Sequence, residues 1–215
     1  MEFVRATEAD LDFITEAVFA AVKSGTDILS YATLFEKSEE ELKPLFREMI
    51  EEDIEGQELW LSGFLMAKDD NGNPAATCCT WVEGEEGPSS MLTAQVLSFG
   101  LGQETYKKAL KKHEIIESLR VDRTEGALQF EHVYTAPEYR GQGLAAQVIE
   151  EQIKLKKAQN PELKKAEIIL FKTNESALKA YQKLGFETTF EQHSQHPGIL
   201  NYFPAAARVL MSMDI

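Results

Sequence analysis

Cysteine is nearly absent from the sequence: there are two in 215 residues, Cys78 and Cys79, and they are adjacent. Neighbours on a strand point to opposite faces, so these two thiols cannot easily pair with one another, and reduced thiols fit a cytosolic setting. Long apolar runs are missing, which excludes a membrane span. The first dozen residues carry acids where a secretory leader would have bases and then an apolar stretch, so a cytoplasmic protein is expected. Basic residues are outnumbered, 22 Lys and Arg against 36 Asp and Glu, for a formal charge of -14. Neither nucleic acid nor an anionic membrane is therefore an expected partner, since both need a positive surface. Repeats, low-complexity tracts and long Pro/Gly/Ser linkers are lacking as well. With 43% hydrophobic residues, the chain has material for one sizeable core and too little for two, and a single domain over residues 1–215 is expected.

The charge that is present is unevenly spread. Residues 36–58 hold ten acids against three bases, whereas residues 140–183 hold nine bases against five acids. One stretch suits a cation and the other an anion, or both are solvated helix faces.

Hydrophobic periodicity gives the element order. A short strand at 3–5 leads to Thr7 and Asp10, spaced as a capping box before the apolar positions Leu11, Ile14, Val18 and Val22. Ser38, three residues before Glu41, caps a second helix. Strands at 59–67 and 75–82 flank Asn71-Gly72 and form a hairpin. The segment 83–126 has the composition of a partly helical insertion over the core. A strand at 127–135, a helix at 144–159, a buried strand at 166–171, a short helix at 176–184 closed by Gly185, and strands at 186–190 and 207–213 complete the chain.

Between the strand at 127–135 and the helix at 144–159 lies Tyr139-Arg140-Gly141-Gln142-Gly143-Leu144-Ala145. Glycines there let the backbone approach an anion, and free amides at the helix start bind phosphate oxygens. A structural turn would use the same glycines. The loop lacks the Lys-Ser/Thr of a nucleoside-triphosphate loop and the spacing of the dinucleotide fingerprint.

The string Arg140 to Ala145, preceded by Pro137-Glu138-Tyr139, resembles the Arg/Gln-x-x-Gly-x-Gly/Ala motif of the GNAT superfamily of N-acetyltransferases. One helix and one strand later, Asn174, Ala177, Tyr181, Gly185 and Phe186 are similar to that family's second hallmark. The opening strand and helix fit too; the segment 83–126 is longer than the family's usual connection. The resemblance implies a mixed α/β fold with about seven strands, mostly antiparallel, helices on both faces, and a splay between the fourth and fifth strands. It implies acetyl-CoA as acyl donor, with no metal. The backbone of Val133, Tyr134 and Thr135 would pair with the pantetheine arm, and Arg140, Gly141, Gln142, Gly143, Leu144 and Ala145 would wrap the pyrophosphate. Asn174 would bond the pantetheine side. Tyr181 would sit near the sulfur as general acid, or would simply pack its helix; the two roles are compatible.

An amine must lose a proton before attack. By strand alternation Gln129, Glu131 and Val133 share one face, opposite Phe130, His132 and Tyr134. Glu131 is the candidate base, directly or through water, and His132 the substitute. Cys78 and Cys79 have no matching base nearby in sequence, and His193 and His196 have no third ligand close by, so direct transfer in a ternary complex without a metal is expected. The acceptor is a small-molecule or peptide amine. A cationic one, such as a polyamine, an aminoglycoside or a lysine-bearing peptide, follows if the acids of 36–58 border its entrance. Two other functions are carried: a non-catalytic acyl-CoA-binding regulatory domain, and a protein N-terminal acetyltransferase suggested by Asn201-Tyr202-Phe203. Oligomeric state is open, a homodimer included.

Overall fold

The computed structural model describes residues 1–215. Strand β1 (Glu2–Arg5) runs into a turn in which the Asp10 carboxylate accepts from both the amide and the hydroxyl of Thr7, each at 3.1 Å. That bracket starts α1 (Leu11–Lys23), whose Leu11, Ile14 and Val18 are fully buried. α2 (Ser30–Phe35) is an element beyond those expected, too short to show a helical period. α3 (Glu39–Glu51) is opened by the Ser38/Glu41 capping box.

β2 (Phe64–Lys68) and β3 (Pro74–Val82) form the hairpin, but β2 starts five residues later than the periodicity suggests. β1, with four residues, reaches only to Leu65, and Leu61–Gly63 winds into a 3-10 turn instead of continuing the ladder along β3. Gln57 folds the residues before that turn locally: its side-chain oxygen accepts from the Leu59 amide and its nitrogen donates to the Ile54 carbonyl, both at 2.8 Å. Leu59 and Leu61 are buried from that irregular backbone.

The segment 83–126 contains α4 (Ser89–Leu101), α5 (Gln103–Leu110) and α6 (His113–Glu117). Val96, Leu97, Leu101, Ala109 and Leu119 carry it into the core built by α1, α2 and α3. β4 (Leu128–Thr135), α7 (Leu144–Gln159), β5 (Lys165–Phe171), α8 (Glu175–Leu184), β6 (Glu187–His193) and β7 (Ala207–Asp214) follow. The seven strands form one sheet in the order β1-β2-β3-β4-β5-β7-β6, antiparallel everywhere except between β4 and β5. A second core, under α7 and α8, covers the other face. Cys79 belongs to the first core and Cys78 to the second, so the two thiols do point to opposite faces. No helix is long and apolar enough to cross a membrane.

β4 and β5 pair only where Leu128, Gln129 and Phe130 meet Ala166, Glu167 and Ile168. Beyond Phe130 the strands separate. The expected splay is present, and it opens toward the glycine loop.

Candidate active site

The second half of β4 is reset by a bulge. Glu131 lies opposite Cys79 and Tyr134 opposite Thr77, so Cys78 alone faces both His132 and Val133. His132 absorbs the extra residue with φ of 53°, a left-handed conformation that is uncommon outside glycine. The expected alternation is corrected here, because one added residue breaks the two-residue period. Gln129 and Glu131 do share a face, both reaching Arg123, but Val133 packs into the α7/α8 core behind the sheet. His132 lies on the Glu131 side, its ring parallel to that of Phe64 with centroids 6.3 Å apart. The two candidate bases are thus neighbours rather than on opposite faces.

At the other side of the splay, Gly141 and Gly143 take φ of 78° and 73°. That geometry turns the chain abruptly into α7, and the amides from Gly141 to Ala146 donate to no backbone carbonyl. Free N–H groups at the positive end of a sixteen-residue helix form a cradle for an anion. The loop is held from outside by Tyr139, whose hydroxyl donates to Asp69 at 2.8 Å, and by Arg140, whose Nε donates to the Thr135 carbonyl at 3.3 Å.

One cavity of about 1470 Å³ joins these parts, and every candidate residue named from the sequence except Gln142 lines it. Gln142 turns away and its carbonyl accepts from the Gln147 side chain. Asn174 is on the wall, but both ends of its side chain are engaged: Oδ1 caps α8 by accepting from the Ala177 amide at 3.2 Å, and Nδ2 donates to Ser24 at 3.1 Å. Tyr181 is buried, packs edge-on to Phe186, and its hydroxyl bonds to no protein group. Burial, more than the nearby Cys78 and Glu131, raises its pKa above the ordinary tyrosine value. Glu131 accepts from Arg123 at 2.7 Å through Oε1, leaving Oε2 open. Cys78 and Cys79 are fully buried, and burial pushes both thiols up. His193, at the end of β6, binds Glu191 of the same strand at 3.0 Å, and His196, in the β6–β7 connection, accepts from the Gly198 amide at 3.1 Å.

Sequence spacing did not reveal the wall facing Glu131. Ser30 and Tyr31 of α2, Glu58, Arg123 and Arg208 come from four separate segments and meet only through the fold. The Tyr31 hydroxyl donates to Glu58 at 2.8 Å, and Arg123 lies over the Trp81 ring at 4.9 Å. Of the ten acids in 36–58 only Glu58 lines the cavity. Others face outward onto bases: Glu36 onto Lys108 and Lys112, Glu39 onto Lys23 and Lys43, Glu51 onto Arg47.

The strand splay thus has the glycine loop on one side and the Glu131 carboxylate on the other, both lining one cavity. Residues 104–188 match the family model described as an acetyltransferase (GNAT) domain. Over 99% of its length the chain resembles an N-acetyltransferase from Staphylococcus aureus Mu50, covering 100% of that chain at 15% identity with a TM-score of 0.62. All of it aligns with 95% of a mutant spermidine N-acetyltransferase from Vibrio cholerae, at 16% identity and a TM-score of 0.55. It likewise aligns with 93% of the ribosomal-protein-S18-alanine N-acetyltransferase from Escherichia coli, at 12% identity and a TM-score of 0.51. Comparison with curated protein sequences yields no match. The family match is confined to residues 104–188, and the fold of the whole chain matches GNAT acetyltransferase folds.

Proposed function

We propose that the protein transfers an acetyl group from acetyl-CoA to a primary amine by direct attack in a ternary complex, in the cytoplasm. The observation that carries this reading is the row of free amides from Gly141 to Ala146 beside the β4/β5 splay. The cradle fits a pyrophosphate, and the β4 backbone beyond Phe130, unpaired on the β5 side, fits a pantetheine arm. When bound, acetyl-CoA supplies an activated thioester carbonyl. Glu131 or His132 takes the ammonium proton of the acceptor, its nitrogen bonds to the carbonyl carbon as the C–S bond breaks, and Tyr181 gives its hydroxyl proton to the departing sulfur. The raised pKa of Tyr181 suits a group that must hold its proton until that moment. Elevated thiols at Cys78 and Cys79 agree with direct transfer rather than an acyl-enzyme.

The test pairs acetyl-CoA binding by calorimetry with thiol release over a broad amine panel. Gly143→Val places a β-branched side chain at a left-handed position where backbone must meet phosphate, and it should weaken acetyl-CoA binding by about 10-fold or more. Undiminished affinity in a folded variant rules out this cofactor site. Binding without thiol release from any amine points to a non-catalytic acyl-CoA sensor instead.

A further inference from the structure

Three buried side-chain polar atoms in the molecule have no hydrogen-bond partner: Ser30 Oγ, His132 Nε2 and Arg208 Nε. All three residues line the one cavity. Buried polar groups are nearly always paired, so three orphans on a shared wall mark a place where a ligand completes the bonding.

The orphan with the most distinctive chemistry is Arg208, near the start of β7. Its guanidinium lies over the Phe171 ring at 4.9 Å and makes neither an ion pair nor a side-chain hydrogen bond. The other arginines and carboxylates on the cavity wall are all engaged. Glu83 accepts from Trp81 and Ser89, Arg120 bridges Glu117 and Asp122, and Arg140 donates to the Thr135 carbonyl. Glu58 and Glu131, the acids whose charges act on Arg208, already accept from Tyr31 and Arg123. A guanidinium is a planar fork of donors suited to a carboxylate. With Glu58 and Glu131 close by, a singly charged anion fits better than a doubly charged phosphate.

We infer that the acceptor amine also carries a carboxylate, an amino-acid-like zwitterion whose ammonium faces Glu131 and whose carboxylate is held by Arg208. This rests on the acetyltransferase reading and narrows its substrate class. Ser30 supplies a second polar contact on the same wall. A polycation without a carboxylate leaves Arg208 unpaired and meets its charge with repulsion.

The experiment uses the full chain with acetyl-CoA and follows thiol release. Matched acceptors are the proteinogenic L-amino acids, their primary amides, the corresponding decarboxylated amines, spermidine and O-phosphoethanolamine. For the best acceptor, the acid should exceed its own amide and its decarboxylated amine by about 10²-fold in kcat/KM. Arg208→Gln should collapse that ratio toward unity, and Arg208→Lys should restore part of it. Ser30→Ala, which leaves the guanidinium on the Phe171 ring untouched, should lower the ratio by about 3-fold to 10-fold and serves if Arg208 variants do not fold. The inference is overturned if amides, spermidine or the phosphate-bearing amine are the better acceptors, or if Arg208→Gln slows acid and amide alike; acetylation then stands and the carboxylate does not. Thiol release with no acceptor at all overturns both.

Discussion

Arg123 Nη2 lies 2.7 Å from Glu131 Oε1, and its Nη1 lies 2.9 Å from Gln129 Oε1, so one guanidinium spans two alternate side chains of β4 on this face. Both residues line the cavity, Glu131 Oε2 has no hydrogen-bond partner in the protein, and the Trp81 ring lies under the Arg123 guanidinium at 4.9 Å. If Glu131 is the base, Arg123 acts as a positioning residue.

Arg123→Met keeps an apolar stem over Trp81 and removes the fork. We expect kcat to fall by about 10-fold with the KM for acetyl-CoA little changed, and Arg123→Lys to recover part of the loss. Steady-state kinetics on the best amine checks this. An equal loss in both parameters would mean that the substitution disturbs the cofactor side as well, and the positioning role would fail.

Behind this pair stands Glu167, buried on β5. Its carboxylate accepts from the Thr124 amide at 2.9 Å, from the Thr124 hydroxyl, and from Gln129 Nε2 at 3.0 Å. The end of the 83–126 segment, β4 and β5 are joined at this one group. Glu167→Gln turns an acceptor into a donor facing donors, and should cost about 1–3 kcal/mol. Urea unfolding followed by circular dichroism measures it; a loss under about 0.5 kcal/mol would show that the junction is held by packing alone.

Asp69, in the β2–β3 turn, accepts from Asn73 Nδ2, the Tyr139 hydroxyl and the amides of Asn71 and Asn73, at 2.8 to 3.0 Å. The Asn73 side chain first, then Tyr139, holds its carboxyl well below the usual aspartate range. A folded pKa depressed in this way stabilises above the unfolded value of about 3.9, and the stabilisation drains away as pH falls below that. Asp69→Ala should therefore lower Tm at pH 7 and lower it less at pH 3. An equal gap at both pH values would show that the turn owes nothing to the ionised group.

Local signals carried most of the fold. Thr7 with Asp10 and Ser38 with Glu41 name helix starts because a capping box is a contact between residues three apart, and Gly185 names a helix end for a similar reason. The glycine-loop side of the candidate site is legible for the same cause: Arg140 to Ala145 is one continuous stretch of sequence. The wall facing Glu131 is not. Ser30, Glu58, Arg123 and Arg208 are brought together by strand order and by the helices of 83–126, which no spacing encodes. The bulge at His132 was hidden too, since the excess residue shows only when β3 and β4 are aligned. The acids of 36–58 misdirect from sequence because linear density says nothing about which way a helix face points. α3 turns Leu42, Phe46, Met49 and Ile50 inward and its charges outward.

Tyr181 separates packing from chemistry. Its ring fills the α8 side of the second core against Phe186, while its hydroxyl is free of protein partners and borders the cavity. Tyr181→Phe retains the ring and removes only the proton donor. Turnover should fall by about 10²-fold with acetyl-CoA affinity nearly unchanged. Because burial raises the folded pKa, the phenol keeps its proton where an ordinary tyrosine, at about pH 10, would lose it. The alkaline limb of kcat for the wild-type protein should therefore begin above about pH 10, and any limb below that belongs to another group. Single-turnover measurements, in which chemistry rather than product release sets the rate, give the comparison its meaning. Wild-type rates in Tyr181→Phe under those conditions would leave the residue a packing role alone, and the proton for the leaving sulfur would have to come from solvent.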